Sequence, residues 1–147
     1  VSVEMALRAW YGKVYAIEKK EDALALLKEN KQKFAVDNLE IISGMAPEAM
    51  MELEVPTHAF IGGSSGNMDA IIKLLLEKNP EVRIVINCIT LETVTEAMEA
   101  IRKFDLKDVD IVQLGVARSK SVGRYHMMMG ENPIYIISCS GRGEEPK

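Results

Sequence analysis

The sequence predicts an α/β fold built on a mostly parallel sheet. Three observations carry that prediction. Short β-rich runs alternate with helical patterns as far as residue 104, the pattern of a parallel sheet with helices on both faces. The run Arg83 to Cys88 is almost continuously apolar, as a strand covered on both faces is. Between an apolar run at 58–61 and a helical pattern from residue 67 lies Gly62-Gly63-Ser64-Ser65-Gly66, a glycine-rich turn at the carboxyl end of a strand.

Each element follows from local pattern. Residues 1–10 read as a helix with Val3, Ala6, Leu7 and Trp10 on one face and Gly12 as its stop. Residues 14–17 form a short strand that closes on Glu18. Residues 21–32 form a helix with Ala23, Leu24, Leu26 and Leu27 as its apolar stripe. A strand at 39–43 runs into Gly44, and Pro47 suits the first turn of a short helix through Met51. After the strand at 58–61, Met68, Ile71, Ile72, Leu75 and Leu76 recur at three- and four-residue steps until Asn79-Pro80. Thr90 caps a helix from Leu91 to Phe104 whose Glu92, Glu96 and Glu99 point outward. The strands at 109–116 and 134–139 have no helix between them, so they form an antiparallel pair at the end of the sheet. The segment at 118–129 reads as a loop, and Gly141 to Lys147 as a frayed tail.

Composition sets limits on function. The chain has 147 residues, 48% hydrophobic and 27% charged, which suits one ordinary globular domain with a sizeable core. A net charge of -4 argues against a general nucleic-acid binder. No apolar run approaches the roughly 20 residues of a membrane span. Cys88 and Cys139 lie in apolar runs and read as buried free thiols of a reducing cytoplasm, and two cysteines with two histidines make no metal signature. The chain opens inside a helical pattern with no cap and no preceding strand, which leads us to expect a fragment of something longer.

Chemistry gathers at the expected carboxyl edge, where ligands of open α/β sheets bind. Glu18 stands where an acid can accept hydrogen bonds from both hydroxyls of a ribose, or be a solvated acid beside Lys19 and Lys20. Gly44, Met45 and Ala46 follow the next strand, and Met45 offers a soft apolar surface to a flat ring, or a core methionine to the helix start. Gly62 and Gly63 allow close backbone approach and positive φ. Ser64, Ser65 and Asn67 can serve a ligand or the open N–H groups of the helix start. Arg118, Lys120 and Arg124 form a cationic stretch suited to substrate carboxylates, to solvent or to a subunit contact. His58 reads as structural and His126 as an interface residue. No catalytic base emerges, which suits a reaction driven by positioning a reactive cofactor against its substrate.

The order of these pieces resembles the class I S-adenosylmethionine-dependent methyltransferases, and within them the precorrin methyltransferases of corrinoid synthesis. The resemblance runs to about residue 140. It rests on Gly44-Met45-Ala46-Pro47-Glu48-Ala49, Phe60 to Gly66, Leu91-Glu92-Thr93 with Glu96-Ala97-Met98, Ala117-Arg118 and Asn132-Pro133. It implies a Rossmann-like fold whose first strand and glycine-rich loop are absent from this sequence. It further implies S-adenosylmethionine as methyl donor, a tetrapyrrole substrate, loss of carbon dioxide from an acetate side chain, and a homotetramer in which the last two strands and 118–129 make subunit contacts. Glu18 then matches the ribose acid, Met45 and Ala46 the turn around the adenine, and Gly62 to Gly66 the turn facing the reacting centre. The family usually has Asp where Met45 stands. The missing strand would lie between those at 14–17 and 58–61, so the chain alone is expected to be poorly stable. Two other readings are a methyltransferase of this fold acting on another substrate such as RNA, and a non-catalytic nucleotide-binding or oligomer-forming module.

Overall fold

A computed structural model describes residues 1–141, and these fall into two compact units, Val1–Leu53 and a second beginning at Glu54. Residues 142–147, most of the predicted frayed tail, lie outside the described residues.

The first unit runs α1 (Ser2–Arg8), β1 (Val14–Glu18), α2 (Glu21–Lys33) and β2 (Leu39–Ser43), followed by a single 3-10 turn at Glu48–Met50. Strands β1 and β2 are parallel, with Val14 opposite Leu39 and Glu18 opposite Ser43. Ala6, Val14, Ala16, Val36 and Leu39 are buried together, with Val3, Met5, Ala9, Leu27 and Ile41 packed around them. Helix α1 ends earlier than its apolar pattern suggests. The Asn38 side-chain amide lies 2.9 Å from the carbonyl oxygens of Ala6 and Ala9 and 3.1 Å from that of Gly12. It thereby occupies the carbonyls that a helix C-terminus leaves open. Trp10 falls beyond the helix and is 82% exposed, and Leu7 is exposed as well, so the buried face narrows to Ala6 flanked by Val3 and Met5. Helix α2 keeps Ala23, Leu24 and Leu27 half-buried, while Leu26 faces solvent.

The second unit comprises β3 (His58–Ile61), α3 (Met68–Lys78), β4 (Arg83–Cys88), α4 (Leu91–Lys103), β5 (Lys107–Leu114), β6 (Ala117–Val122), β7 (Tyr125–Gly130) and β8 (Ile134–Ser140). One sheet has the order β3-β4-β8-β5. Strands β3 and β4 are parallel, and β8 runs antiparallel to both of its neighbours. The antiparallel pairing of the last strands is therefore as expected, but a mostly parallel sheet is too strong a description. The parallel ladders are two pairs in separate sheets. The core holds Ile72 from α3, Ala97 and Ala100 from α4, Ile84, Ile86 and Cys88 from β4, and Ile137 from β8, all fully buried. Along β4 the buried Ile84, Ile86 and Cys88 alternate with half-buried Val85 and Asn87. Only one face is completely covered, so the continuous apolar run overstated the burial of this strand.

Thr90 caps α4 as expected, its hydroxyl accepting the Thr93 N–H at 3.2 Å. Segment 118–129 corrects the sequence reading. It is not a loop but a β-hairpin, in which Gly123 with φ +61° begins a two-residue turn before Tyr125. Residues opposite each other share a face. Arg118 with Met129, Lys120 with Met127 and Val122 with Tyr125 make one face; Ser119 with Met128 and Ser121 with His126 make the other.

Replacing Asn38 by Ala should lower stability by roughly 1–3 kcal/mol in urea titration, since it uncovers helix-end carbonyls. A loss below about 0.5 kcal/mol would show that water replaces the amide at no cost. A second prediction concerns pH. Burial pushes the Cys139 thiol up to about 11, so the folded state favours the neutral thiol. Its contribution is complete below the ordinary thiol pKa and disappears as pH rises from about 9 to 11. The stability gap between the natural protein and Cys139→Ala should therefore narrow by up to roughly 2 kcal/mol across that range. A constant gap would refute the assignment.

Candidate active site

Glu18 ends β1, half-buried, and its Oε1 accepts the backbone N–H groups of Lys19 at 2.8 Å and Lys20 at 2.9 Å. These residues lead into α2, so the carboxylate is fixed against the start of that helix. The Glu18 carbonyl accepts the Gly44 N–H at 3.0 Å. The parallel register thus joins two predicted site residues that lie far apart in sequence. A carboxylate only accepts hydrogen bonds. A ligand held here must offer donors, as paired hydroxyls do.

Beyond Gly44 the chain folds back, with the Ala49 N–H on the Met45 carbonyl at 2.9 Å. A Cβ on Gly44 would come within 2.9 Å of the Ala49 Cβ, so packing alone requires glycine there. Met45 is exposed and Ala46 half-buried, leaving the thioether of Met45 as a polarizable surface beside the turn.

In the second unit, Ile61 lies opposite Ile86, so the next step along both strands sets Gly62 beside Asn87. The turn that follows uses positive φ at Ser65 (50°) and Gly66 (82°), and the Asn67 N–H closes it on the Ser64 carbonyl at 2.9 Å. The conformational freedom expected of Gly62 and Gly63 is therefore exercised two to three residues later. A Cβ on Gly62 would stand 3.1 Å from the Phe60 ring. A Cβ on Gly63 would meet nothing within 4 Å, so the fold has no steric need of that glycine. Ser64 is 7% exposed, and its hydroxyl donates to Glu96 Oε2 at 3.3 Å. Glu96 was expected to face outward; it turns instead toward the glycine turn. The Asn87 Oδ1 is buried without a hydrogen-bond partner among the described residues. Burial, with a smaller contribution from the Glu96 charge, raises the pKa of the Cys88 thiol.

The predicted cations lie on the hairpin. Arg118 pairs with Glu131 at 3.0 Å, and Arg124 donates to the Tyr125 hydroxyl at 3.1 Å with its guanidinium over that ring. Lys120 shares the Arg118 face. His126 is exposed on the opposite face, and His58 is exposed beside the Thr57 hydroxyl at the amino end of β3. Among the described residues no group of three or more His, Cys, Asp or Glu side chains could hold a metal ion, and no helix is long and apolar enough to cross a membrane. Sequence reasoning missed Glu96 and Asn87 as site neighbours. The available signal for Glu96 was its place directly before Ala97, at the margin of the buried stripe of α4.

Strand–turn–helix units with their turns at the carboxyl ends of the strands are those of a class I methyltransferase fold. An S-adenosylmethionine-dependent O-methyltransferase from Thermotoga maritima, 18% identical, shares it with a TM-score of 0.67 over 92% of this chain and 52% of that one. A family model described as the precorrin methyltransferase domain matches residues 1–140, and the chain belongs to that family. A probable decarboxylating cobalt-precorrin-6B C(15)-methyltransferase from Pyrobaculum calidifontis is 41% identical over 141 residues, 95% of this chain and 72% of the relative. Two solved structures agree. The precorrin-6Y C5,15-methyltransferase of Geobacter metallireducens is 33% identical with a TM-score of 0.84, covering 95% of this chain and 72% of that one. A precorrin 8W decarboxylase of Methanobacterium thermoautotrophicum is 35% identical with a TM-score of 0.77, covering 86% and 69%.

The two glycines at different turns should respond differently to alanine. Gly44→Ala should cost about 1–3 kcal/mol of stability through its clash with Ala49. Gly63→Ala should stay within about 0.5 kcal/mol of the natural protein in the same denaturation series. Equal losses at both positions would contradict the packing described.

Proposed function

We propose that this protein is an S-adenosylmethionine-dependent methyltransferase that methylates C15 of a cobalt-precorrin or precorrin intermediate of cobalamin synthesis and assists loss of carbon dioxide from an acetate side chain. The observation that carries this reading is the contact of Glu18 with the Gly44 turn in a chain whose family match spans residues 1–140. It favours the corrinoid substrate over the RNA and non-catalytic alternatives, because the curated relatives are named for that chemistry.

In this reading the carboxylate of Glu18 receives the ribose hydroxyls of the cofactor, and its fixed position beside the Lys19 and Lys20 amides pre-orients it. Gly44, Met45 and Ala46 border the adenine, with the exposed Met45 side chain against the ring. Gly62 and Gly63 allow the backbone to approach the reacting end, and the open space beside Gly63 fits that role. The bound cofactor supplies an electrophilic methyl group. Ser65 and Gly66 face the substrate, while Ser64, with its hydroxyl committed to Glu96, supports the turn from beneath. Arg118, Lys120 and Arg124 meet carboxylate side chains of the tetrapyrrole, for which the alternation of cations with Met127, Met129 and Tyr125 on one hairpin face is suited.

We also infer one methyltransferase domain across both units, since the family match runs through both. A homo-oligomer, a tetramer by family resemblance, would cover Val109, Ile111, Leu114 and Met128, which lies on the hairpin face away from the cations, all exposed in the single chain. Two free buried thiols suit a reducing cytoplasm.

Incubation with S-adenosylmethionine and cobalt-precorrin-6B or its metal-free counterpart should give a product that gains one methyl group and loses one carbon dioxide by mass spectrometry. Unchanged substrates under conditions where the cofactor binds would overturn the assignment. Glu18→Ala should weaken cofactor binding by about tenfold or more in calorimetric titration, as loss of a charged hydrogen-bond acceptor does; unaltered affinity would remove Glu18 from the site.

A further inference from the structure

Turning Glu96 inward has a physical reason. Ser64 and Ser140 are the buried polar side chains among the described residues. A buried hydroxyl without a partner is costly, and the Glu96 carboxylate removes that cost. The turn itself needs restraint. Ser65 holds φ 50°, a left-handed conformation that residues with a Cβ adopt only at a cost. Two described contacts oppose its relaxation: the Asn67 N–H on the Ser64 carbonyl and the Ser64 hydroxyl on Glu96. Helix α4 is in turn tied to α3, with Lys103 paired to Asp69 and Ala97 and Ala100 packed at full burial. The carboxylate therefore connects the glycine turn to a rigid pair of helices.

We propose that Glu96 is a positioning residue, which through the Ser64 hydroxyl holds the Gly62 to Gly66 turn in the conformation that catalysis uses. It does not touch the reacting atoms. The catalytic part of this inference rests on the reading that the turn faces cofactor and substrate; the structural part does not.

The test compares Glu96→Ala with Glu96→Gln in the full chain and uses two readouts. The first is alkylation of the buried thiols, which needs neither cofactor nor substrate. Cys88 ends β4 within the electrostatic reach of Glu96, whereas Cys139 lies on β8 opposite Ile84, toward the amino end of β4. Glu96→Ala should speed Cys88 modification about tenfold or more while Cys139 changes little. Equal acceleration of both would mean general destabilisation and would overturn the proposal. Glu96→Gln keeps an oxygen that can accept from Ser64 but loses the charge that raises the Cys88 pKa, so it should speed Cys88 only about twofold to threefold; the excess in Glu96→Ala reports the loosened turn, and equal acceleration in the two variants would overturn positioning. The second readout is methyl transfer. Glu96→Ala should lower kcat by about tenfold or more with KM for the cofactor little changed, and Glu96→Gln should restore kcat to within about threefold. A Gln variant as slow as the Ala variant would assign Glu96 a proton-transfer or charge role and refute positioning. Should the natural protein transfer no methyl group at all, the proposed function fails, and the thiol rates alone decide the place of Glu96.

Discussion

Glu18 lies opposite Ser43, and Ile61 opposite Ile86. These two registers are the constraint from which the rest follows. Parallel pairing sends both strands of a pair toward the same edge, so whatever follows one strand emerges beside whatever follows its neighbour. In the first unit it lays the Glu18 backbone carbonyl against the Gly44 turn, next to a carboxylate held by the start of α2. In the second it sets Gly62 beside Asn87 and leaves the start of α3 to be organised by a tight turn. An antiparallel pair at either place would have carried these groups to opposite ends of the ladder. Side-chain chemistry at the edge is thus a product of backbone hydrogen bonding several residues away.

The glycines of that edge illustrate how differently one residue type can be required. Gly44 is excluded from change by the Ala49 methyl, a matter of packing inside the protein. Gly66 is suited to its place by a positive φ. Gly63 meets neither condition. Its surroundings are open, so neither packing nor backbone conformation within the described residues requires glycine there.

Much of the fold was legible because its signals are local. Strand and helix identities up to residue 104 follow from periodicity, and Thr90 caps α4 as its position suggests. The misreadings come from effects that periodicity does not carry. Helix α1 stops where Asn38, distant in sequence, captures its carbonyls, so Trp10 never joins the helical face. Alternating Arg118, Ser119, Lys120 and Ser121 contain the period of a strand, yet polarity on both faces hid it, and the hairpin passed for a loop. The apolar run of β4 reports composition rather than coverage, since Val85 and Asn87 are only half-buried. The site was legible at Glu18 and the glycine turns, where spacing places them at strand ends. Glu96 was not, because a polar residue at the margin of an amphipathic helix faces solvent by default and is turned inward only by the buried hydroxyl it meets.

Strand β8 lies between β4 and β5, although it follows both in the chain. The ladder from β4 to β5 therefore has a gap until residues 134–140 are present. During synthesis, Ile84 and Ile86 would leave the ribosome without the Ile137 and Cys139 against which they later pack. The β4–β8–β5 part of the second unit therefore closes late, after β3, α3, β4 and α4 have emerged. Any interruption of translation before Ile134 leaves two apolar strand edges open to other chains.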